Sequence, residues 1–392
     1  MIGEAVRRCE GILSLEDFTE AARAALPRPI FGYIAGGADD GRCLISNRTA
    51  FERFAFVTRV LRDVTSRSTH RSVLGQEFDC PFGMAPMGIS SLFAYRGDLV
   101  LAKAAREANV PMIASGASLV PIEDIIAANP GCWCQAYLGG DPNEVDSALR
   151  RIERAGVRTL VITVDVPTPS NREQETRAGF SSPLRPSARL GWDFIVKPRW
   201  LVGVMGQTLI RNGFPAFENV ALDARIPMFS RTATRDIARR GRLKWADLHR
   251  IRKQWRGTLV IKGILHAEDA RMAREHGADG IIVSNHGGRQ LDAAISPLLM
   301  IREIRAVSGP MALMVDSGFR RGTDVLKALA LGADFVFLGR PFAYALAARG
   351  EAGVRHAIEL LRREIDADLA MLGHGTVDTL DPNCLRQVDA RL

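Results

Sequence analysis

"AEDARMAREHGADGIIVSNHGGRQLD", residues 267–292, holds the pattern that decides the fold. Its first nine residues space alanine and methionine at helical intervals. Gly277 then stands where a helix ends, and "GIIV" follows as a short β-branched run suited to burial. That run gives way to Ser284, His286, two glycines and Arg289. Histidine and arginine are costly beside a buried strand unless something pairs with them. The same helix–glycine–strand order recurs in "ERAGVRTLVI" (153–162) and "ALGADFVFL" (330–338). Eight apolar runs of this kind occur, at 82–90, 111–118, 132–138, 159–167, 258–265, 280–288, 311–318 and 335–341. Eight parallel strands with intervening helices predict an α/β fold, a closed (β/α)8 TIM barrel, with a doubly wound open sheet as the alternative.

The rest of the chain is arranged around that unit. Residues 1–75 read as an N-terminal helical segment packing on the barrel, opened by a capping signature before "SLEDFTEAARAAL". The barrel is expected over 76–375 and a C-terminal tail over 376–392. Strands four and five are separated by about ninety residues, where a connection of a few residues is usual. Within this interruption, residues 181–244 hold twelve Lys or Arg against four acids, a net charge of +8. The whole chain also carries +8, so the remainder is neutral. No stretch approaches the ~20 apolar residues of a membrane span. The N-terminus lacks a secretory signal pattern, and six scattered cysteines are expected to be reduced thiols, which together predict a cytoplasmic protein. No residue set has metal-ligand spacing, and nucleic-acid motifs are lacking.

Each later strand run finishes on polar or reactive groups: Gln135 and Tyr137, Thr163 and Asp165, Lys262, Ser284 and His286, Asp316, then Gly339 and Arg340. Barrel chemistry sits at this end of the strands, so these groups are expected to converge. "DSGFRRGTD" and "GRP" combine glycine with Arg320 and Arg340 before helix starts, which suits a phosphate. Neither GxGxxG nor GxxxxGK[ST] occurs.

With "YIAGGADD", "MAPMG", "QAYL", "TVDVP", "IKGI", "SNHGGRQLD" and "DSGFRRGTDVLKALALGA" in this order, the sequence resembles the FMN-dependent L-2-hydroxy-acid oxidases and dehydrogenases. This family includes glycolate oxidase, L-lactate dehydrogenase and mandelate dehydrogenase, the last being nearest in motifs. The resemblance runs from about residue 15 to about 375. It implies oxidation of a small-molecule 2-hydroxy acid to the 2-oxo acid, FMN as cofactor and a homotetramer. It also implies roles. His286 would be the base and Asp165 the carboxylate that orients it. Arg289 and Arg172 would hold the substrate carboxylate, and Tyr33 and Tyr137 would hydrogen-bond substrate. Ser115, Gln135, Thr163 and Ser284 would contact the flavin ring, beside Ala85, Pro86 and Met87. Lys262 would face the ring's N1/O2 edge and Asp316 the ribityl chain, while Gly318, Arg320, Gly339 and Arg340 would hold the phosphate.

Departures matter too. Met87 stands where oxidases of the family often have threonine. Gly88 stands where oxygen-using members have alanine, which resembles the dehydrogenases and points to a quinone or redox protein as electron acceptor. The segment after Arg172 matches no member closely, leaving open a peptide-derived hydroxy or amino acid as substrate. A type 2 isopentenyl-diphosphate isomerase shares the glycine-rich phosphate loops and is a further alternative. Residues 181–244 mix cations with Trp192, Phe194, Trp200, Leu201, Val204 and Met205. The segment reads either as a lid with a solvated basic face or as peripheral contact with the inner face of a membrane, where cations meet anionic headgroups.

Overall fold

The computed structural model describes residues 9–139, 141–181, 187–219, 225–228 and 240–388. Eight strands form one parallel sheet: β1 (Phe82–Met84), β2 (Ile113–Ala114), β3 (Trp133–Ala136), β4 (Thr159–Thr163), β5 (Thr258–Ile264), β6 (Gly280–Val283), β7 (Ala312–Val315) and β8 (Phe335–Leu338). They run in the order β1-β8-β7-β6-β5-β4-β3-β2, and a parallel bridge between Met84 and Met112 closes the ring. This is the expected barrel.

Strand alternation sorts the side chains into two cores. Leu160, Ile162, Leu259, Ile261, Ile281 and Leu313 point outward and pack under the helices. Ile113, Trp133, Val161, Val260, Ile282, Met314, Phe335 and Phe337 fill the interior. Trp133 and Phe337 meet at 5.4 Å between ring centroids, so the interior is packed rather than open. A hairpin, Arg71–Val73 with Gln76–Phe78, plugs the strands' N-terminal end, where Phe78 meets Phe335 at 5.7 Å. Among the described residues, the open end of the barrel is the C-terminal one.

Three helices, Asp17–Ala25, Arg28–Ala35 and Arg42–Thr49, precede the barrel. The first begins at Asp17, whose carboxylate accepts the N–H groups of Leu13 and Ser14 in the preceding turn, while the N-cap position, Glu16, makes no side-chain cap bond, so the expected capping signature is not formed. Beyond Arg53 the structure differs from the helical reading of 1–75. Phe54–Phe56 is a strand paired antiparallel with Leu385–Gln387, and the hairpin straddles residue 75. The C-terminal residues are therefore fastened to the N-terminal segment. Three-residue strands are too short to leave a periodic signature.

The long connection holds helices Ala188–Ile195, Pro198–Trp200 and Gln207–Asn212, with a π-helical turn Leu201–Gly206 between the last two. Arg185, Arg231, Arg235 and Arg239, part of the basic count, lie outside the described residues. Of the six apolar residues singled out there, Trp192 alone is exposed, at 65%. Trp200 is buried with its indole N–H on Leu92 O at 2.7 Å, and Phe194, Leu201, Val204 and Met205 pack against the core. Ile195, Val196, Val202, Ile210 and Phe214 instead face outward. All six cysteines are free and buried.

Candidate active site

One residue beyond the interior apolar layer, the same alternation places Ser115, Gln135, Thr163, Lys262, Ser284 and Asp316 in register at the strands' C-terminal ends. Each stands two positions after an inward apolar residue, as Thr163 does after Val161 and Lys262 after Val260. Above them a cavity of about 170 Å³ is lined by Tyr33, Ala85, Pro86, Met87, Ser115, Tyr137, Thr163, Arg172, Lys262, His286, Arg289, Asp316, Gly318, Arg320, Gly339 and Arg340. Three residues singled out from the sequence, Gln135, Asp165 and Ser284, stand behind this wall and bond to groups in or beside it. An outer chamber of about 450 Å³ shares Tyr33, Ala117, Tyr137, Arg172 and His286 with the inner cavity. His286 therefore stands between the two.

The imidazole Nδ1 lies 2.9 Å from Asp165 Oδ1. An anionic Asp165 can only accept, so Nδ1 carries the proton and Nε2 keeps its lone pair. Burial lowers the His286 pKa below its ordinary 6.5, and this outweighs the upward pull of Asp165. The ring is thus neutral near pH 7. Burial pushes Asp165 the other way, but His286 and Lys262 prevail and hold its carboxyl below the usual range. His286 has φ 57°, in the left-handed region, and its N–H donates to Ser284 Oγ at 3.0 Å. Ser284 Oγ also accepts from Lys262 Nζ at 2.7 Å, tying the histidine's backbone to the lysine.

Burial works against the charge on Lys262, yet Asp316 and Asp165 overcome it and raise its pKa. The ammonium sits 3.0 Å from Asp316 Oδ2. Between Lys262 and Ile264 the β5–β6 register shifts, with Gly263 at φ 110°. A Cβ at Gly263 would lie 2.6 Å from Asp165 Cβ, so only glycine lets the lysine strand pass the aspartate.

Arg289 and Arg172 converge on one buried carboxylate. Glu175 Oε1 accepts from Arg289 Nη2 at 2.8 Å and lies 3.5 Å from Arg172 Nη1. Arg289 also donates to the carbonyls of Tyr33 and Gly36, with its guanidinium 4.7 Å from the Tyr33 ring centroid. Arg172 is further held by Ser170 Oγ and Gln290 Oε1, each at 2.9 Å. The sequence pointed to Arg172 and not to Glu175, three residues on. The three-residue spacing of Arg172 and Glu175 was the available signal for their pairing, one turn apart on a helix. Ser170 and Gln290, on loops, left none.

Two features fit a flavin. Gln135 Nε2 and Thr163 Oγ1 are buried with no hydrogen-bond partner among the described residues, and buried polar groups of this kind are normally satisfied. Gln135 Oε1 is already engaged by the Gly116 N–H at 3.0 Å, so the amide's donor end is the one left for a ligand. At the end expected to take the phosphate, Gly318 has φ 92° and a Cβ there would strike Asn47 O at 2.4 Å. Arg320 and Arg340 line the same end. Arg340 donates to Ile34 O, Gly36 O and Gly287 O, using three of its five N–H groups. Burial first, then Arg289, pushes its pKa down to about 9. An added anion would relieve that stress.

The chain matches the FMN-dependent dehydrogenase family model over residues 22–387. It is 38% identical to an L-lactate dehydrogenase of Caulobacter sp. (strain K31), with 96% of this chain and 99% of that protein covered. It is 36% identical to the (S)-mandelate dehydrogenase of Pseudomonas putida, covering 96% and 94% respectively. Among solved structures, that of a monotopic membrane protein, (S)-mandelate dehydrogenase, superposes with a TM-score of 0.90 at 36% identity, over 97% of this chain and all of that one.

Proposed function

The chain belongs to the FMN-dependent dehydrogenase family, and from that premise we propose that it oxidises an L-2-hydroxy acid at the His286 centre, releasing the 2-oxo acid. It is an FMN-dependent oxidoreductase acting on the CH–OH group of a 2-hydroxy acid. The observation that carries the assignment of the centre is the His286–Asp165 pair, a neutral buried imidazole oriented by an ionised carboxylate. An FMN-dependent isomerase of an isopentenyl diphosphate would have no use for this base beside two arginines.

When bound, FMN supplies the acceptor for the two electrons that leave the substrate carbon. Ser115, Gln135, Thr163, Ser284 and the Ala85–Met87 backbone would hold its ring. Asp316 would meet the ribityl chain, and Gly318, Arg320, Gly339 and Arg340 the phosphate. Lys262 keeps a positive charge at the inner wall. Arg289 and Arg172 receive the substrate carboxylate, a planar anion matched by guanidinium forks. Tyr33 and Tyr137 steady the substrate. Burial raises the Tyr137 pKa, so its phenol stays protonated and donates. His286 takes a proton at Nε2, and Asp165 stabilises the resulting imidazolium. Stoichiometric conversion of L-lactate or L-mandelate to the 2-oxo acid, by protein carrying about one FMN per chain, tests the proposal. A protein that folds without FMN contradicts it.

The electron acceptor we propose is a quinone or a redox protein, reached by peripheral contact with the inner face of the membrane. No helix of the described residues is long and apolar enough to cross a membrane. The support is that Trp192, Ile195, Val196, Val202, Ile210 and Phe214 are each exposed, within a segment rich in arginine. Their number within one short segment, mixed with cations, suits an interfacial surface. The assembly proposed is a homotetramer, which light scattering on the purified protein measures. Val60 and Leu61, exposed at 79% and 102%, offer apolar surface for its contacts.

A further inference from the structure

A separate cavity of about 340 Å³ lies behind the loops that wall the inner one. Leu92 and Leu119 line it, whereas Phe93 and Ala117 line the inner cavity. Leu92 and Phe93 are neighbours in the chain, with Cα atoms about 3.8 Å apart, so one thickness of backbone parts the two spaces. The Ile89 N–H on Ala117 O, at 3.0 Å, fastens the two loops together. Another wall is the helix Gln207–Asn212 of the long connection. Thr208 and Asn212, four positions apart, share the face turned to the cavity, while Ile210 is exposed on the other side. Phe214 lines the cavity and is itself 71% exposed. The cavity thus adjoins the apolar surface proposed above to meet a membrane.

The lining selects the charge of an occupant. Arg96 pairs with Asp124, and Arg225 with Glu218 at 2.7 Å, so the four ionic side chains cancel and an ion gains little there. Leu92, Leu119, Val120, Phe214 and Pro215 supply apolar wall. Ser91 lines the cavity too, and its Oγ donates to Asp98 Oδ2 at 3.0 Å. Asp98 is fully buried, and the chemistry at His286 makes no use of it. Burial raises its pKa against the pull of Ser90, Ser91 and Ser118. Once protonated, Asp98 donates to Ser91 Oγ, which frees the serine hydrogen for the cavity. A buried acid linked through a hydroxyl to a neutral cavity has the parts of a proton donor.

We infer that this cavity binds the ring of a quinone, and that Asp98, through Ser91, gives a proton to one of the ring's oxygens. The inference rests on the quinone reading above and gives that acceptor its site. The quinone's tail leaves past Phe214 toward lipid. Two electrons cross one layer of chain from the reduced cofactor, one proton comes through Ser91 and the second from water. Asp98 and water recover the two protons that the cofactor releases. Reduced FMN and quinone thereby give FMN and quinol.

The probe is a benzoquinone with a decyl tail, and the protein is FMN-loaded throughout. An aryl-azide form of the probe, irradiated on the oxidised protein, should label peptides from 89–96, 119–124 or 207–218, and the plain probe should compete. Labelling confined to other peptides overturns the inference. Thr208→Trp fills the cavity from its helix and should raise the probe's Kd by ~10-fold or more. For the relay, protein reduced with one equivalent of dithionite is mixed with the probe or with ferricyanide, which takes electrons and no proton. Asp98→Asn and Ser91→Ala should slow reoxidation by the quinone by about 10²-fold or more, while ferricyanide reoxidation and the probe's Kd stay near the parent's. Equal slowing with both acceptors, or slowing with neither, overturns the relay. Should Asp98→Asn fail to fold, Ser91→Ala and the labelling of the parent still decide. If the probe reoxidises the flavin yet Thr208→Trp leaves its Kd unchanged, this inference alone falls. If the probe neither binds nor reoxidises the flavin while ferricyanide does, the quinone reading falls with it.

Discussion

His286 must be neutral to accept a proton, and its surroundings arrange this by burial against the pull of Asp165. The working form of a base with a lowered pKa predominates above that pKa. Flavin reduction should therefore lose rate only as pH falls below about 6.5, the ordinary histidine value. Asp165→Asn removes a contribution that raises the imidazole pKa, so the acid limb should move to still lower pH. The rate at neutral pH should meanwhile fall by about 10²–10⁴-fold, as the imidazolium loses its partner. The pH profile of kcat/KM reads both effects, and a limb that moves upward would show that Asp165 does not act on the imidazole in this way. Glu175→Gln leaves two largely buried guanidiniums without their shared anion. The cost should be about 3–5 kcal/mol of stability, read as a lower Tm in the FMN-loaded protein. An unchanged Tm would mean that the two arginines do not depend on that charge.

At the scale of elements, the bulge in β5 decides whether the lysine of β5 and the aspartate after β4 can stand side by side. Gly263→Ala adds a Cβ at φ 110° where Asp165 Cβ already stands. The variant should lose more than about 1 kcal/mol and reduce its flavin poorly, since the lysine, the aspartate and the base move together. Denaturant unfolding beside anaerobic reduction checks this, and parent-like values for both would refute it. Strand ends were legible because alternation is a two-residue rule and each barrel strand obeys it. "IKGI" revealed the lysine but not the bulge, because a single glycine in a strand has several meanings. The Phe54–Phe56 strand and its partner at Leu385–Gln387 were illegible for another reason. Three residues paired across more than three hundred positions leave no local pattern.

Over the whole molecule, eight repeats of one unit determined the barrel, and the motifs at its open end named the residues that meet there. What the sequence withheld was orientation across long connections. Trp200 and Trp192 look alike in "WDFIVKPRW", yet one is buried under Leu92 and the other faces outward. Arg240 looked like one charge among twelve until the fold set it over Tyr137. The exposed apolar residues of this segment give their own expectation. Trp192→Ser with Ile210→Ser should weaken binding to anionic liposomes and leave FMN content intact. Equal binding by both proteins would return this segment to the role of a lid. The central claim is that a base on the loop after β6 works on a 2-hydroxy acid between an arginine pair and a flavin. Its most direct test is anaerobic mixing of L-lactate or L-mandelate with the yellow protein and with its His286→Ala variant. The parent should bleach, while the variant should keep its FMN and its colour over the same interval. Bleaching of the variant at the parent's rate would contradict the account.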